Sequence, residues 1–283
     1  MTTPISPISA TAPDPDETDL SPLLSEPFAR AWAAPAPDLP APLGPRLGER
    51  LAGRLARSLQ AEQGMVTVRR RSAAADPLGG GAQRRWLYRA PADRALRAGE
   101  PRAACVIELP AGASLALPPG GPREFLVLQG SAEVGQQLLA PRDFLLLPAG
   151  GGVQLSSQGG AQVFVREADA AGEGAARVAQ ATLVRDAEAG WPEFAPGIRR
   201  RVLWTGGGQA ALLYQAEPGA SVPTHSHGHD EECLMVDGEL FLDDVLLQQG
   251  DYQLAPAGTG HRITETDTGV VIYAHGDADL RFT

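Results

Sequence analysis

The five histidines of the chain all lie between positions 225 and 275, and three of them stand in a spaced set with a carboxylate. One segment reads Gly219, five residues, His225, one residue, His227, three residues, Glu231, six residues, Gly238. The other reads Gly250, five residues, Pro256, one residue, Gly258, two residues, His261. Three imidazoles and one carboxylate suit a divalent first-row metal such as Zn, Fe, Mn, Ni or Cu. In a strand, positions 225, 227 and 231 share parity, so all three can point to one side. Gly228-His229-Asp230 allows a bend between the histidine pair and the glutamate, and His261 arrives from a neighbouring strand after a proline-glycine turn. Glu232 competes with Glu231 for the ligand role, but its parity turns it the other way. His229 reads as a solvated loop histidine, and His275 is given no role. Cys233 shares the parity of Glu231, and its two readings are a redox-sensing thiol and a buried inert one, the second being preferred.

These residues need strands to carry them. From about Val66 the chain consists of short β-like runs separated by Gly and Pro turns, and Gly 33 with Pro 25 suits a turn-rich β protein. Two stretches repeat each other. The first holds Thr67-Val68-Arg69, Pro110-Ala111-Gly112-Ala113-Ser114, Glu124-Phe125-Leu126 through Gly130, and Leu147-Pro148-Ala149-Gly150. The second holds Leu183-Val184-Arg185, Pro218-Gly219-Ala220-Ser221, Glu232-Cys233-Leu234 through Gly238, and Ala255-Pro256-Ala257-Gly258. Order and spacing agree over roughly 100 residues each, which predicts two tandem β domains. Repeat one has lost the ligands: Arg123 stands for Glu231 and Val153 for His261. Its barrel is expected to bind no metal and to serve a structural role.

The expected organisation is a mostly disordered segment at 1–44, an amphipathic helix at 45–64, a degenerate barrel at 65–167, a linker at 168–181 and a metal-binding barrel at 182–283. The helix follows from leucines 47, 51, 55 and 59 on one face and arginines 46, 50, 54 and 57 on another, with Pro45 at its start. A helix of this kind is expected to dock on its own domain.

The two spaced segments match the two cupin motifs, at the ligand positions and at the glycines and proline that shape the turns. The fold class implied is all-β, with two tandem cupin (double-stranded β-helix, or jelly-roll) barrels after a short helical segment. Repeat two resembles the ChrR-like cupin family more narrowly. The residues that carry this are Gly190-Trp191-Pro192, Val202-Leu203-Trp204, Pro223-Thr224-His225-Ser226-His227 and Asp230-Glu231-Glu232-Cys233-Leu234. The resemblance implies His225, His227, Glu231 and His261 as metal ligands and a sensor of the anti-sigma type. No histidine and no CxxC precedes residue 200, so the zinc-binding anti-sigma domain of that family is not evident. Two functional readings follow. The first is a regulatory protein with a Zn site and a sigma factor or another protein as partner. The second is a metal-dependent (Fe, Mn or Ni) dioxygenase acting on a small organic molecule held in the C-terminal barrel.

Composition excludes other classes. The 24 basic residues are all arginine, so no Walker-A lysine, Schiff-base lysine or lysine nucleophile exists. A net charge of −10 argues against nucleic acid as a partner. No apolar run approaches a membrane span, and two cysteines make no disulfide framework, so a reducing cytoplasm is the expected compartment. Pairing of cupin sheets between chains makes a homodimer the default expectation. For Arg69-Arg70-Arg71 and Arg199-Arg200-Arg201, at matching places in the repeats, a solvated strand edge is expected.

Overall fold

The computed structural model describes residues 46–53, 55–56, 64–97, 99–169, 178–279 and 281–282. The segment expected to be disordered, the end of the amphipathic helix and the middle of the linker lie outside them. Residues 46–53 and 55–56 are helical as expected, with Leu47, Leu51 and Leu55 about half exposed. Among the described residues no helix is long and apolar enough to cross a membrane.

The remainder is antiparallel β-structure. In chain order the first half holds β1 (Val66–Val68), β2 (Ala75–Pro77), β3 (Gln83–Arg89), β4 (Pro101–Leu109), β5 (Ala113–Leu117) and β6 (Arg123–Gly130). β7 (Ala132–Val134), β8 (Gln137–Leu139), β9 (Phe144–Leu147), β10 (Val153–Ser157) and β11 (Ala161–Ala168) follow. The second half holds β12 (Thr182–Val184), β13 (Glu193–Ala195), β14 (Ile198–Gly206), β15 (Gln209–Ala216), β16 (Ser221–Val222) and β17 (His225–Ser226). It ends with β18 (Glu231–Leu242), β19 (Val245–Gln248), β20 (Tyr252–Ala255), β21 (Gly260–His261), β22 (Thr264–Glu265), β23 (Val270–Asp277) and β24 (Arg281–Phe282).

The first barrel sets the sheet β12-β9-β6-β11-β4-β3-β2 against the sheet β5-β10-β7-β8. The second is built on the path β1-β20-β18-β23-β15-β14-β13, with the short sheet β21-β17-β24 carrying two of the histidines. The repeats exchange their leading strands. β1, the first strand of repeat one, pairs with β20 (Val68 opposite Tyr252), and β12, the first strand of repeat two, pairs with β9 (Val184 opposite Phe144).

Both faces of the central strands are buried, which explains their continuous apolar runs. One face of β6 turns Phe125 and Val127 into the first barrel, where they pack with Ile107, Leu139, Leu155 and Val163. The other face turns Leu126 towards the second barrel, where it joins Phe164, Leu213, Leu234, Tyr252 and Tyr273 in a shared core. Burying each such side chain contributes roughly 1.5–3 kcal/mol. The glycine that closes each first motif is required by close approach: a Cβ on Gly238 (φ +72°) would lie 2.2 Å from the Gly269 carbonyl oxygen, and one on Gly130 (φ +70°) 2.1 Å from that of Gly160.

The core between the barrels also holds charge. Arg166 on β11 donates to Glu232 through Nε, to Glu124 through Nη1 (2.9 Å) and to the Gly99 carbonyl through Nη2 (2.6 Å). Tyr252 donates to Glu232 (2.6 Å) and Tyr273 to Glu124. Glu232 therefore turns away from its own barrel, as its parity predicts, yet it is fully buried. His275 is buried beside it, with Nε2 3.4 Å from Glu124 and its ring stacked on Trp204.

Candidate metal centre

β17 ends at Ser226 and β18 begins at Glu231, and the bend between them is tied down on both sides. His227 donates its backbone N–H to Thr259 O (2.9 Å) and accepts from Gly258 N (2.8 Å), which locks it to the turn before His261. Asp277, at the end of β23, accepts from Gly228 N and from His229 Nδ1. His229 is thus a loop residue with a fixed partner and a partly exposed ring. His225 faces His261 in the β17–β21 register. Gly260 permits that approach, because a Cβ there would sit 2.3 Å from the His225 carbonyl oxygen.

The structure brings the expected residues together. Ligand atoms of His225, His227 and Glu231 all lie within 4.8 Å of one another. His261 stands beside this trio, its ring centroid 5.1 Å from that of His227 and 5.6 Å from that of His225, with Nε2 3.9 Å from Glu231 Oε2. All three histidines are buried. His225 Nδ1 is 3.0 Å from Pro223 O, which leaves Nε2 to face inward. His261 Nδ1 is 3.4 Å from Asp243 Oδ2, and the other oxygen of Asp243 accepts from Arg262 N (2.9 Å). A carboxylate behind a histidine fixes tautomer and ring orientation. Asp243 was not singled out from the sequence. Its signal is the tight Leu242-Asp243-Asp244-Val245 hairpin, where Asp243 adopts φ +54°, a conformation Asp tolerates better than most residues.

His227 tests the fit of a cation. Neither of its buried ring nitrogens has a hydrogen-bond partner, and its 3.2 Å approach to Glu231 Oε2 lacks hydrogen-bond direction. A buried orphaned imidazole is costly unless something else binds it. Burial, aided by His261 and His225, pushes the His227 pKa down to about 3. Burial pushes the Glu231 carboxyl up to about 7, against the pull of His261. His225 is also lowered, first by burial. Burial thus disfavours charge on His225, His227 and Glu231, and a divalent cation would supply the partner that the His227 ring lacks.

The cluster opens on a small cavity inside the second barrel, of about 60 Å³ and partly open to solvent. His225, Glu231 and His261 form one wall, and Phe194, Ile198, Leu240, Leu242, Val270 and Ile272 much of the rest. Cys233 and Tyr214 also face it. The first barrel packs its interior with side chains such as Phe125, Val127, Leu139 and Leu155. Leu117 and Val153 pair there as His225 and His261 do in the second, and they pack against its filled interior. Arg123 is buried and bonded to Glu167 (2.9 Å) and Pro118 O (2.7 Å).

Residues 179–279 match the family model described as the ChrR cupin-like domain. Among solved structures, a candidate dioxygenase from Nostoc punctiforme is similar at 15% identity and TM-score 0.58, covering 76% of this chain and 83% of that one. The Bacillus subtilis oxalate decarboxylase, with its Mn(II) centres, is similar at 15% identity and TM-score 0.55, covering 76% and 77%. Comparison with curated proteins gives no match. The two structural likenesses speak for the fold, and the family match covers the barrel that holds the histidines. The chain has the fold of two tandem cupin jelly-roll barrels, and its residues 179–279 match the ChrR cupin-like domain.

Proposed function

We propose that the second barrel is a metal-dependent oxygenase site for a small, largely apolar organic molecule. The observation that carries this reading is the cavity: three of the four candidate ligands line one wall of an apolar chamber. A purely structural metal site would be closed on all sides by protein. His225, His227, Glu231 and His261 would hold the ion, and a bound Fe, Mn or Ni would supply Lewis acidity and redox chemistry toward O2. The protein's own contributions follow from the lining. Ile272, Val270, Leu240 and Phe194 exclude water and orient an apolar body against the cluster. Tyr214, whose phenol burial holds up at about 12, remains a neutral hydrogen-bond donor in that wall. No arginine lines the chamber, so it offers no guanidinium to a dianionic substrate.

The regulatory reading, with Zn in the same ligands and a sigma factor as partner, has the family match behind it. Metal content and O2 uptake separate the two. Protein purified without added metal, and then reconstituted with Fe, Mn or Ni, is tested against small diketones and phenols. The expected result is about one ion per chain and O2 consumption that His225→Ala abolishes. Stoichiometric Zn that resists exchange, with no O2 uptake across the panel, would overturn the oxygenase reading in favour of the sensor. Two buried, unbridged cysteines suit a cytoplasmic setting for either.

A further inference from the structure

The exchange of leading strands creates two equivalent seams between the barrels, and they differ at two of the positions compared. One residue past β1, Arg69 bonds Asp251 Oδ2 (2.8 Å), and one residue past β12, Arg185 bonds Asp143 Oδ2 (2.9 Å). The next residues donate their backbone N–H to the other carboxylate oxygen, Arg70 to Asp251 (2.9 Å) and Asp186 to Asp143 (2.8 Å). Arg70 thus occupies the place of Asp186. Arg85 likewise answers to Arg201: Arg85 Nη1 donates to Ala73 O (3.0 Å) and Arg201 Nη2 to Ala189 O (2.6 Å), each carbonyl lying three residues beyond the position compared.

In the second seam the Asp186 carboxylate joins Arg201 Nη1 (2.6 Å) and Arg142 Nη2 (2.7 Å). In the first seam an arginine replaces the aspartate, Gly250 replaces Arg142, and the Arg70 guanidinium has no carboxylate partner among the described residues. A cleft opens there. Arg70, Arg85, Glu108 and Gln249 line its neck, and the Glu108 carboxylate is engaged by Arg85 Nε (3.1 Å). Leu87, Val106, Leu128, Met235 and Val236 line its floor, while Arg69 and Arg71 stand on its outer rim. An apolar floor with a few convergent polar groups is the general form of a small-molecule site. Four arginines gather here on a chain of net charge −10, and a guanidinium fork matches a carboxylate.

We propose that this cleft binds a small amphiphilic carboxylate. Its anionic head takes the role beside Arg70 and Arg85 that the chain's own Asp186 fills in the other seam, and its apolar tail lies on the floor. The site is separate from the histidine-lined chamber and shares no lining residue with it.

Isothermal titration of the full chain with octanoate tests this, with octanol and inorganic phosphate as controls. The expected result is saturable binding of one octanoate per chain, with octanol and phosphate at least tenfold weaker. Arg70→Asp, which supplies the second seam's carboxylate, raises the octanoate Kd at least tenfold while circular dichroism is unchanged. Leu128→Trp, which fills the floor, does the same. Ile272→Trp, which fills the chamber beside the histidines, leaves octanoate binding as it was. No saturable binding overturns the proposal, and so does binding that survives Arg70→Asp and Leu128→Trp. Binding lost only in Ile272→Trp places octanoate in the metal chamber and overturns it equally.

Discussion

Arg94, a residue of repeat one, holds Asp230 Oδ2 at 2.6 Å, and Asp230 is the neighbour of Glu231. The other oxygen of Asp230 accepts from Ala257 N (3.0 Å), in the turn that leads to His261. One buried carboxylate therefore ties the two ligand-bearing segments together, and a cation from the barrel without ligands keeps it in place. Arg94 is itself positioned by Tyr88 Oη (2.9 Å) and Glu100 (3.4 Å). The degenerate barrel is thereby a structural part of the histidine site.

Arg94→Ala should leave Asp230 buried without its cation. Losing one partner of a buried pair costs several kcal/mol, and because the Arg94 side chain is 30% exposed a loss of about 1–3 kcal/mol is expected. Displacement of an outer partner of a metal site typically costs tenfold to a hundredfold in affinity. Metal retention after dialysis against a weak chelator, read by elemental analysis, should fall accordingly, with the β-sheet circular dichroism retained. Full retention would show that the Asp230 tether does not position the ligands.

Arg123→Gln provides the contrast. Arg123 sits in the Glu231 position of the first barrel, but its partners Glu167 and Pro118 belong to the same barrel. Metal content should be unchanged and only thermal stability should fall. Loss of metal in this variant would mean that the first barrel acts on the site by a route other than Arg94.

Which features were legible in the sequence follows from what a linear pattern can encode. The spacing of His225, His227, Glu231 and His261 is legible because residues that frame it are fixed by backbone geometry, as at Gly238, where φ is +72° and a Cβ would lie 2.2 Å from a carbonyl oxygen. Parity separated Glu231 from Glu232 because strand alternation is a property of neighbours in the chain. Parity could not say what Glu232 faces, since that is decided by Arg166, 66 residues away on another barrel. The strand exchange was hidden for the same reason: Thr67-Val68 and Leu183-Val184 read as strands, but nothing in them names the sheet they join. His275 had no motif, and its burial against Glu124 and Trp204 appears only once the barrels are set together.

The cysteines should be chemically silent in the folded protein. Burial pushes the Cys105 thiol up to about 12, outweighing the charges of Arg84 and Arg123. Cys233 is raised well above its ordinary value by burial and then by Glu231 and Glu232. With the thiolate as the reactive form, a thiol of pKa about 12 is ionised to roughly one part in 10⁴ at pH 8. A thiol-disulfide reagent such as Ellman's should release almost nothing from the native chain within an hour and two equivalents in guanidinium. One fast equivalent from the native protein would make Cys233 reachable through its cavity and would favour the redox-sensing thiol.

His275 should make the fold acid-sensitive. It is buried with Glu124, Arg166 and His229 around it, and burial, followed by the charges of Arg166 and His229, holds its pKa well below 6.5. The folded state keeps this imidazole neutral, whereas the unfolded chain protonates it below about pH 6.5. The unfolded state then binds the extra proton, so stability falls as the pH drops through that value. Glu124, raised by burial, has the opposite sign and offsets part of the slope in the wild type, which makes a difference between variants the cleaner reading. Between pH 7.5 and 5.5 an unfolded-state pKa of about 6.5 is worth about 1.4 kcal/mol. Urea unfolding at the two pH values should therefore show the wild type losing about 1.4 kcal/mol more than His275→Gln. Equal losses in the two proteins would mean that His275 takes up its proton in the folded state, with Glu124 as its counter-ion.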